Sequence, residues 1–304
     1  MERIAVGPEL SFSRIAYGLM GLGGSWEVDE RIPETRVREL LDACLAHGIT
    51  TLDHADIYTA YRGEAVLGQA FRASPGLRDR FEVITKCGIK KGFGEHAGAY
   101  GRTVAKHYDT TPEHITSALD RSLREMGTDR VDLLLIHRPD PLMDHERTGR
   151  ALDAAVASGK ARAVGVSNFR PWDVSLLQSA MGEPLVCNQI EMSLAHTDAF
   201  TNGDLAFLQE HSLRPMAWSP LGGGTLFDPA TPAGMKLAEV AEAKGCRPDQ
   251  LALAFLLRHP AGIIPVVGTG NVERIAHAAG AVSVKLSRVE WFELLEAARG
   301  EAVA

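Results

Sequence analysis

The chain has 304 residues, 45% of them apolar and 23% charged, which is enough to bury a large core. A formal net charge of -7 disfavours nucleic acid or an acidic membrane surface as partner, and no apolar run approaches the roughly 18 residues that a membrane helix needs. Cys44, Cys87, Cys187 and Cys246 show no CxxC or metal-type spacing and no basic-plus-apolar leader is visible, so a cytoplasmic, metal-free protein with reduced thiols is expected.

Along the chain, short runs rich in Val, Ile and Leu alternate with longer segments of helical period. That is the pattern of βαβ units around a parallel sheet buried on both faces. Residues 3–15 alternate weakly around Gly7-Pro8 and suit a small hairpin. The first main strand is Arg14–Met20, followed by Gly21-Leu22-Gly23-Gly24. A helix starts near Pro33, carries Val37, Leu40, Leu41, Cys44 and Leu45 on one face, and ends at Gly48. Strand two is Ile49–Asp53, with a helix over Glu64–Arg72, and strand three is Phe81–Lys86. The segment Cys87–Thr110, rich in Gly and His, reads as a long functional loop. Thr111-Pro112 opens the next helix, striped by Ile115, Leu119, Leu123 and Met126 and closed by Gly127. Strand four, Val131–His137, precedes a helix over Asp144–Gly159. Strand five, Ala161–Val166, runs into Ser167-Asn168 and a helix opened by Pro171. Strand six is Leu185–Gln189, with a helix over Gly203–His211. Strand seven, Pro215–Trp218, runs into Ser219-Pro220-Leu221-Gly222. Helices over Gly234–Lys244 and Pro248–Arg258 lead to strand eight, Gly262–Val267, which ends at Gly268-Thr269-Gly270. Helices over Val272–Ala279 and Arg288–Ala298 close the chain.

Eight strands with intervening helices predict one α/β domain over residues 1–304, a (β/α)8 TIM barrel with a short N-terminal hairpin and extra helices. A doubly wound sheet is the alternative. Barrel chemistry sits at the C-terminal strand ends, where Asp53, Lys86, His137, Ser167, Asn168, Gln189 and Ser219 gather. Singly, each has an ordinary reading. Lys86 can snorkel to solvent, Asp53 can cap a loop, Tyr58 can be loop packing and His137 can be a core histidine. Jointly they make a proton-donating centre. Asp53 would keep a partly buried Lys86 charged, and that ammonium within about 4–6 Å would lower the Tyr58 phenol by roughly 1–3 units, making it a general acid near neutral pH. His137 would donate to a carbonyl oxygen or orient the substrate.

These side chains stand in stretches that resemble the aldo-keto reductase superfamily over nearly the whole chain. The stretches are Leu52-Asp53-His54-Ala55-Asp56-Ile57-Tyr58, Ile84-Thr85-Lys86-Cys87-Gly88, Leu134-Leu135-Ile136-His137-Arg138-Pro139-Asp140, Gly165-Val166-Ser167-Asn168-Phe169, Cys187-Asn188-Gln189-Ile190-Glu191 and Trp218-Ser219-Pro220-Leu221-Gly222. Met20-Gly21-Leu22-Gly23-Gly24-Ser25-Trp26 is similar to the first strand-end loop of the family's bacterial oxidoreductase branch. The resemblance implies a carbonyl reductase with Tyr58 as proton donor, Lys86 and Asp53 tuning it, and His137 assisting at the carbonyl. It implies Ser167, Asn168 and Gln189 on the nicotinamide carboxamide and Trp218 stacked on the ring. Gly21 and Pro220 would lie beside the cofactor, and Ser219 and Leu221 at its pyrophosphate. Gly268, Thr269, Gly270, Asn271 and Arg274 would hold the adenosine end. Arg274 suits a 2′-phosphate through its charge and paired donors. Gly268 stands where many members carry Lys, which removes one such contact. Thr269 and Arg274 still favour NADP(H), with NAD(H) the other possible cofactor. His54 replaces the Thr common after the Asp, and little consequence is expected.

The expected partner is a small-molecule carbonyl substrate, taken up by a monomer or weak homo-oligomer. Two other functions stay open: a Schiff-base aldolase working through Lys86, and a catalytically weak NADP(H)-sensing regulator. Gly21-Leu22-Gly23-Gly24 is not a dinucleotide fingerprint, because Trp26 stands at the third glycine position. Gly222-Gly223-Gly224 reads as a flap near the cofactor, and His107, Tyr108 and the other histidines of 87–110 as solvated loop residues, with lining of the substrate pocket the alternative. Substrate choice is expected to lie in 87–110, in the loop after His137 and in 221–233.

Overall fold

A computed structural model describes residues 1–20, 33–91 and 105–302. The loop beginning at Gly21, and residues 92–104 of the long segment, lie outside them. An antiparallel hairpin of β1 (Arg3–Gly7) and β2 (Leu10–Ser13) comes first. Eight strands then close into a parallel barrel: β3 (Ala16–Gly18), β4 (Thr51–Asp53), β5 (Glu82–Cys87), β8 (Leu133–Ile136), β9 (Val164–Ser167), β10 (Leu185–Glu191), β11 (Arg214–Trp218) and β12 (Ile264–Val267), with β12 beside β3. Closure removes the doubly wound alternative. The short β6 (Ile89–Lys90) and β7 (His107–Tyr108) pair as a separate ribbon where a plain loop was expected. Outside the barrel lie α1 (Glu34–Ala46), α3 (Gly63–Ala73), α4 (Pro112–Met126), α5 (His145–Ala157), α6 (Pro171–Gln178), α7 (Asp204–Glu210), α8 (Pro232–Ala243), α9 (Pro248–Leu257), α10 (Val272–Gly280) and α11 (Arg288–Arg299). A single turn, α2 (Tyr58–Tyr61), precedes α3. The Thr111 hydroxyl caps α4 by accepting from the His114 N–H, with Pro112 at the first helical position.

The ladders are shorter than the apolar runs. Arg14, expected in the first strand, instead sends its guanidinium to the carbonyls of Ile263 and Leu257. Val131 and Ala161, expected inside strands, form an isolated bridge. An apolar run continues where a chain is buried, and a ladder ends where its backbone pairing ends.

Alternation along each strand decides what faces inward, because successive side chains point to opposite faces. On β8, Leu133 and Leu135 pack in the barrel interior with Ile84, Cys187, Met216 and Ile264. Leu134 and Ile136 pack outward against the helices. Two residues beyond Ile84 comes Lys86, two beyond Cys187 comes Gln189, and two beyond Met216 comes Trp218, so the same inward face turns polar at one rim. At the other end the hairpin closes the barrel with Val6, Leu10 and Phe12. Gly165 makes room inside: a Cβ there would lie 2.8 Å from both the Cys187 carbonyl oxygen and Leu135 Cδ2.

The outward face of β5 carries one acid. Glu64 on α3 is buried, and its Oε1 accepts from the Thr85 hydroxyl at 2.6 Å. Burial pushes the Glu64 carboxyl up to about 7, against the Thr85 hydrogen bond that pulls it down. The native chain then holds a proton here that the unfolded chain has released, so the contribution of Glu64 to stability should fall as pH rises from about 4.5 to about 7. Glu64→Gln removes that titration. The variant should lose the Glu64 share of the slope of unfolding free energy against pH over this window, so that it gains on the parent by up to about 3 kcal/mol at higher pH. Urea unfolding across the window checks it, and identical slopes for parent and variant would contradict it.

Candidate active site

Lys86 is fully buried, and its ammonium has three hydrogens to place. They go to Asp53 Oδ2 at 2.7 Å, the His54 carbonyl at 3.0 Å and the Tyr58 hydroxyl oxygen at 3.1 Å. Burial alone would lower the Lys86 ammonium. The charge of Asp53, the neighbouring Tyr58 and the hydrogen bonds to both outweigh it, and the group is raised and stays charged. The second carboxylate oxygen, Asp53 Oδ1, accepts from Gln189 Nε2 at 2.7 Å. The expected ion pair is therefore present, and its donors and acceptors are met.

Tyr58 stands between three groups. Its ring centroid lies 5.0 Å from Lys86 Nζ, 5.9 Å from the His137 ring in an edge-on arrangement, and 5.6 Å from the His54 ring. Its hydroxyl oxygen accepts from Lys86, so the phenolic proton is not used in that bond. Burial pushes the phenol up, and Lys86 pulls it down by less. The expected lowering is thus overturned: desolvating a phenolate close to the Asp53 carboxylate costs more than the ammonium returns. His137 is pushed well below the usual range by burial and by Lys86, Arg138 and Lys106, which leaves it neutral. Its Nδ1 has no hydrogen-bond partner among the described residues. His54, expected to matter little, is fully buried against the Tyr58 ring, and a Cβ on Gly63 would lie 2.7 Å from His54 Cε1.

A cleft of about 1230 Å³ runs from Tyr58 and His137 past Trp218 to Thr269 and Arg274. Ser167, Asn168, Gln189, Trp218, Ser219, Pro220, Leu221, Gly268, Thr269, Gly270 and Arg274 all line it. Asn271 does not line it among the described residues: its carboxamide caps α10, accepting from the N–H groups of Glu273 and Arg274. Gly21 falls outside the described residues. A polar chain joins the two sides of the mouth. Trp218 Nε1 donates to Asn168 Oδ1 at 2.9 Å, and Asn168 Nδ2 donates to Ser167 Oγ at 2.8 Å and to the His137 carbonyl at 3.2 Å. Ser167 Oγ donates to the Gln189 carbonyl at 2.8 Å. Asn168 (φ 63°) and Ser219 (φ 49°) are both left-handed, a strained state that collects at ligand sites.

Sequence reasoning missed several residues of the cleft. Lys91, Lys106 and Arg138 line the end near Tyr58, and Arg247 and Asp249 the far end. Adjacency to His137 was the available signal for Arg138, whose guanidinium lies 5.6 Å from the Trp218 ring centroid. No motif marks Arg247. The donor set nevertheless fits a nicotinamide dinucleotide, with amide and hydroxyl groups at one end, an indole between, and arginines at the other. The volume exceeds the ~300–1,000 Å³ of ordinary ligand pockets, which leaves space for a substrate as well.

The chain is similar to known proteins over nearly its whole length. The model of the Aldo/keto reductase family matches residues 14–299. A 6-dehydroglucose reductase of Agrobacterium fabrum is 56% identical over 100% of both chains. An oxidoreductase of Bacillus subtilis, YcsN, is 40% identical over 99% of both. Among solved structures, a thermostable aldo-keto reductase, Tm1743, bound to the inhibitor epalrestat superposes with a TM-score of 0.83 at 26% identity, covering 98% of this chain and 100% of its own.

The buried pair makes a stability prediction. Lys86→Met leaves Asp53 buried without its cation, and should destabilise the chain by about 3–5 kcal/mol. Adding Asp53→Leu should restore much of that loss. Denaturant unfolding reads both, and a Lys86→Met chain as stable as the parent would contradict the pairing.

Proposed function

From the premise that the chain belongs to the aldo/keto reductase family, we propose that it is an NADP(H)-dependent reductase of aldehydes or ketones with Tyr58 as proton donor. One observation carries the reading. The Tyr58 hydroxyl oxygen takes a hydrogen bond from a buried, Asp53-paired ammonium while its ring lines a cleft wide enough for cofactor and substrate together. Trp218, Asn168, Ser167 and Gln189 would hold a reduced nicotinamide, which would supply the hydride. The remaining steps belong to the chain. Tyr58 gives its proton to the substrate oxygen, and the Lys86 ammonium stabilises the charge left on the phenol. His137, uncharged at neutral pH, offers a hydrogen bond to the same oxygen without competing for the proton. Gln189 steadies Asp53, and Asn168 steadies the indole of Trp218. At the far end, Thr269 and Arg274, with Arg247 nearby, suit the 2′-phosphate that distinguishes NADP from NAD.

The relatives lend support to one substrate class. The 6-dehydroglucose reductase named above is similar over its full length, which supports a sugar-like aldehyde. The Arg138 guanidinium at the mouth provides donors suited to hydroxyl-rich molecules. A Schiff-base aldolase needs an uncharged, reachable amine, and Lys86 is charged, fully buried and bonded through all three hydrogens. A purely sensing role would bind NADPH without turnover.

Tyr58→Phe should lower kcat for aldehyde reduction by about 10²–10⁴-fold while NADPH still binds. Near-normal turnover, followed by absorbance of the reduced cofactor, would remove Tyr58 from its role. Arg274→Ala should weaken NADPH about 10- to 100-fold and leave NADH nearly unchanged, as one charged hydrogen-bonded contact predicts. Quenching of tryptophan fluorescence measures both, and equal losses for the two cofactors would count against a 2′-phosphate contact.

A further inference from the structure

Tyr58 opens a turn that its own sequence does not favour. Thr59 (φ 53°), Ala60 (φ 52°) and Tyr61 (φ 65°) are consecutive left-handed residues, and none is glycine. In that region the Cβ crowds the following carbonyl oxygen, so such residues normally occur singly. A strained run like this persists only where its surroundings over-determine it. The bonds inside the turn are long: Tyr61 N to the Ile57 carbonyl at 3.4 Å and Arg62 N to the Thr59 carbonyl at 3.2 Å. The shorter grip comes from α4. Arg121 Nη2 donates to the Tyr61 carbonyl at 2.6 Å, and its guanidinium lies 5.1 Å from the Tyr61 ring centroid. Its Nε donates to Glu125 Oε1 at 2.7 Å, and its side chain is only 11% exposed. On the far side, the Tyr61 hydroxyl donates to the Ile89 carbonyl at 3.3 Å and accepts from the Lys91 N–H at 3.0 Å.

We propose that Arg121 is a positioning residue for Tyr58: by gripping the carbonyl and ring of Tyr61 it holds the left-handed turn closed and so sets where the Tyr58 hydroxyl meets Lys86. The proposal rests on the reductase reading, in which that hydroxyl gives up its proton. Among the described residues Arg121 is not part of the cleft lining, so it acts through the turn. An exposed helix pair with Glu125 would be served equally by lysine. Holding a carbonyl, a carboxylate and a ring face together needs the planar guanidinium fork. Without the grip, residues 59–61 can relax toward right-handed dihedrals, and the phenol moves with them.

The test uses the full chain with Arg121→Met and Arg121→Lys, each alone and combined with Thr59→Gly/Ala60→Gly. Turnover is counted per NADPH-binding site, and amide hydrogen exchange is followed over residues 57–63. Arg121→Met should lower kcat by between about 10- and 100-fold, leave KM for the aldehyde and Kd for NADPH within about twofold, and speed exchange of the turn at least about 10-fold. Arg121→Lys should recover only part of the rate. Glycine carries no penalty at positive φ, so the glycine pair should restore most of kcat to Arg121→Met. A merely structural arginine would lower the number of binding sites and the melting temperature without moving kcat per site. Arg121→Met with a kcat per site within twofold of the parent, or with unchanged exchange in 57–63, overturns the proposal. If that variant does not fold, Arg121→Lys is judged by the same two readouts. A parent that turns over no aldehyde removes the reductase reading instead, and the exchange data then decide separately whether Arg121 holds the turn.

Discussion

The buried ammonium of Lys86 is the constraint on which the mouth of the barrel depends. A lone charge at full burial would give up its proton or drag in water. Here the neighbouring strand supplies a carboxylate, because the β4–β5 register places Asp53 opposite Ile84, two residues before Lys86. Asp53 then needs a partner for its other oxygen and takes the Gln189 amide from β10, across the barrel. Three strands are thereby tied at one point, and the third hydrogen of the ammonium draws in the Tyr58 hydroxyl. Such a pair adds little net stability, since desolvation offsets most of the attraction. Its effect is to hold a phenol at one place, in one protonation state.

Closure of the barrel turns this local arrangement into a site. Inward positions that are apolar at mid-barrel become polar at the rim, and closure brings the rims of all eight strands together. The cleft leaves this rim at Tyr58 and passes the Trp218–Asn168–Ser167 chain to the glycines and arginines at its far end. Apart from Ser212 after α7, the left-handed non-glycine residues among the described ones follow the same path. Asn168 and Ser219 lie on the cleft, and the left-handed run of residues 59–61 lies just behind Tyr58. Asn168 and Tyr61 are each held by hydrogen bonds to other elements, which fixes distances where chemistry needs them.

Much of this was legible before any coordinates. Val131–His137 shows why: an almost unbroken apolar run ending in one ionisable side chain can be a buried parallel strand with its chemistry at the tip. Repetition of that pattern predicts a barrel and its rim. Thr111-Pro112 and Gly127 marked both ends of α4 through local capping chemistry. The β6–β7 ribbon was not legible, because pairs of two residues leave no periodicity. Neither was Arg247, which reaches the cleft from the start of α9 with no motif around it. Asn271, expected at the cofactor, also caps α10, a local role open to any Asn just before a helix.

By itself, then, the sequence determined the barrel, the rim and the quartet of Asp53, Tyr58, Lys86 and His137, because these depend on local period and on residue type at strand ends. Only the tertiary structure decided that Tyr58 is raised and not lowered, that His137 is neutral, and that Thr59, Ala60 and Tyr61 turn left-handed. Those outcomes are sums over atoms brought together from distant parts of the chain. Desolvation counts every group that displaces water, and a strained turn survives only if contacts such as the one from Arg121 outweigh its cost. No stretch of neighbouring residues contains that sum.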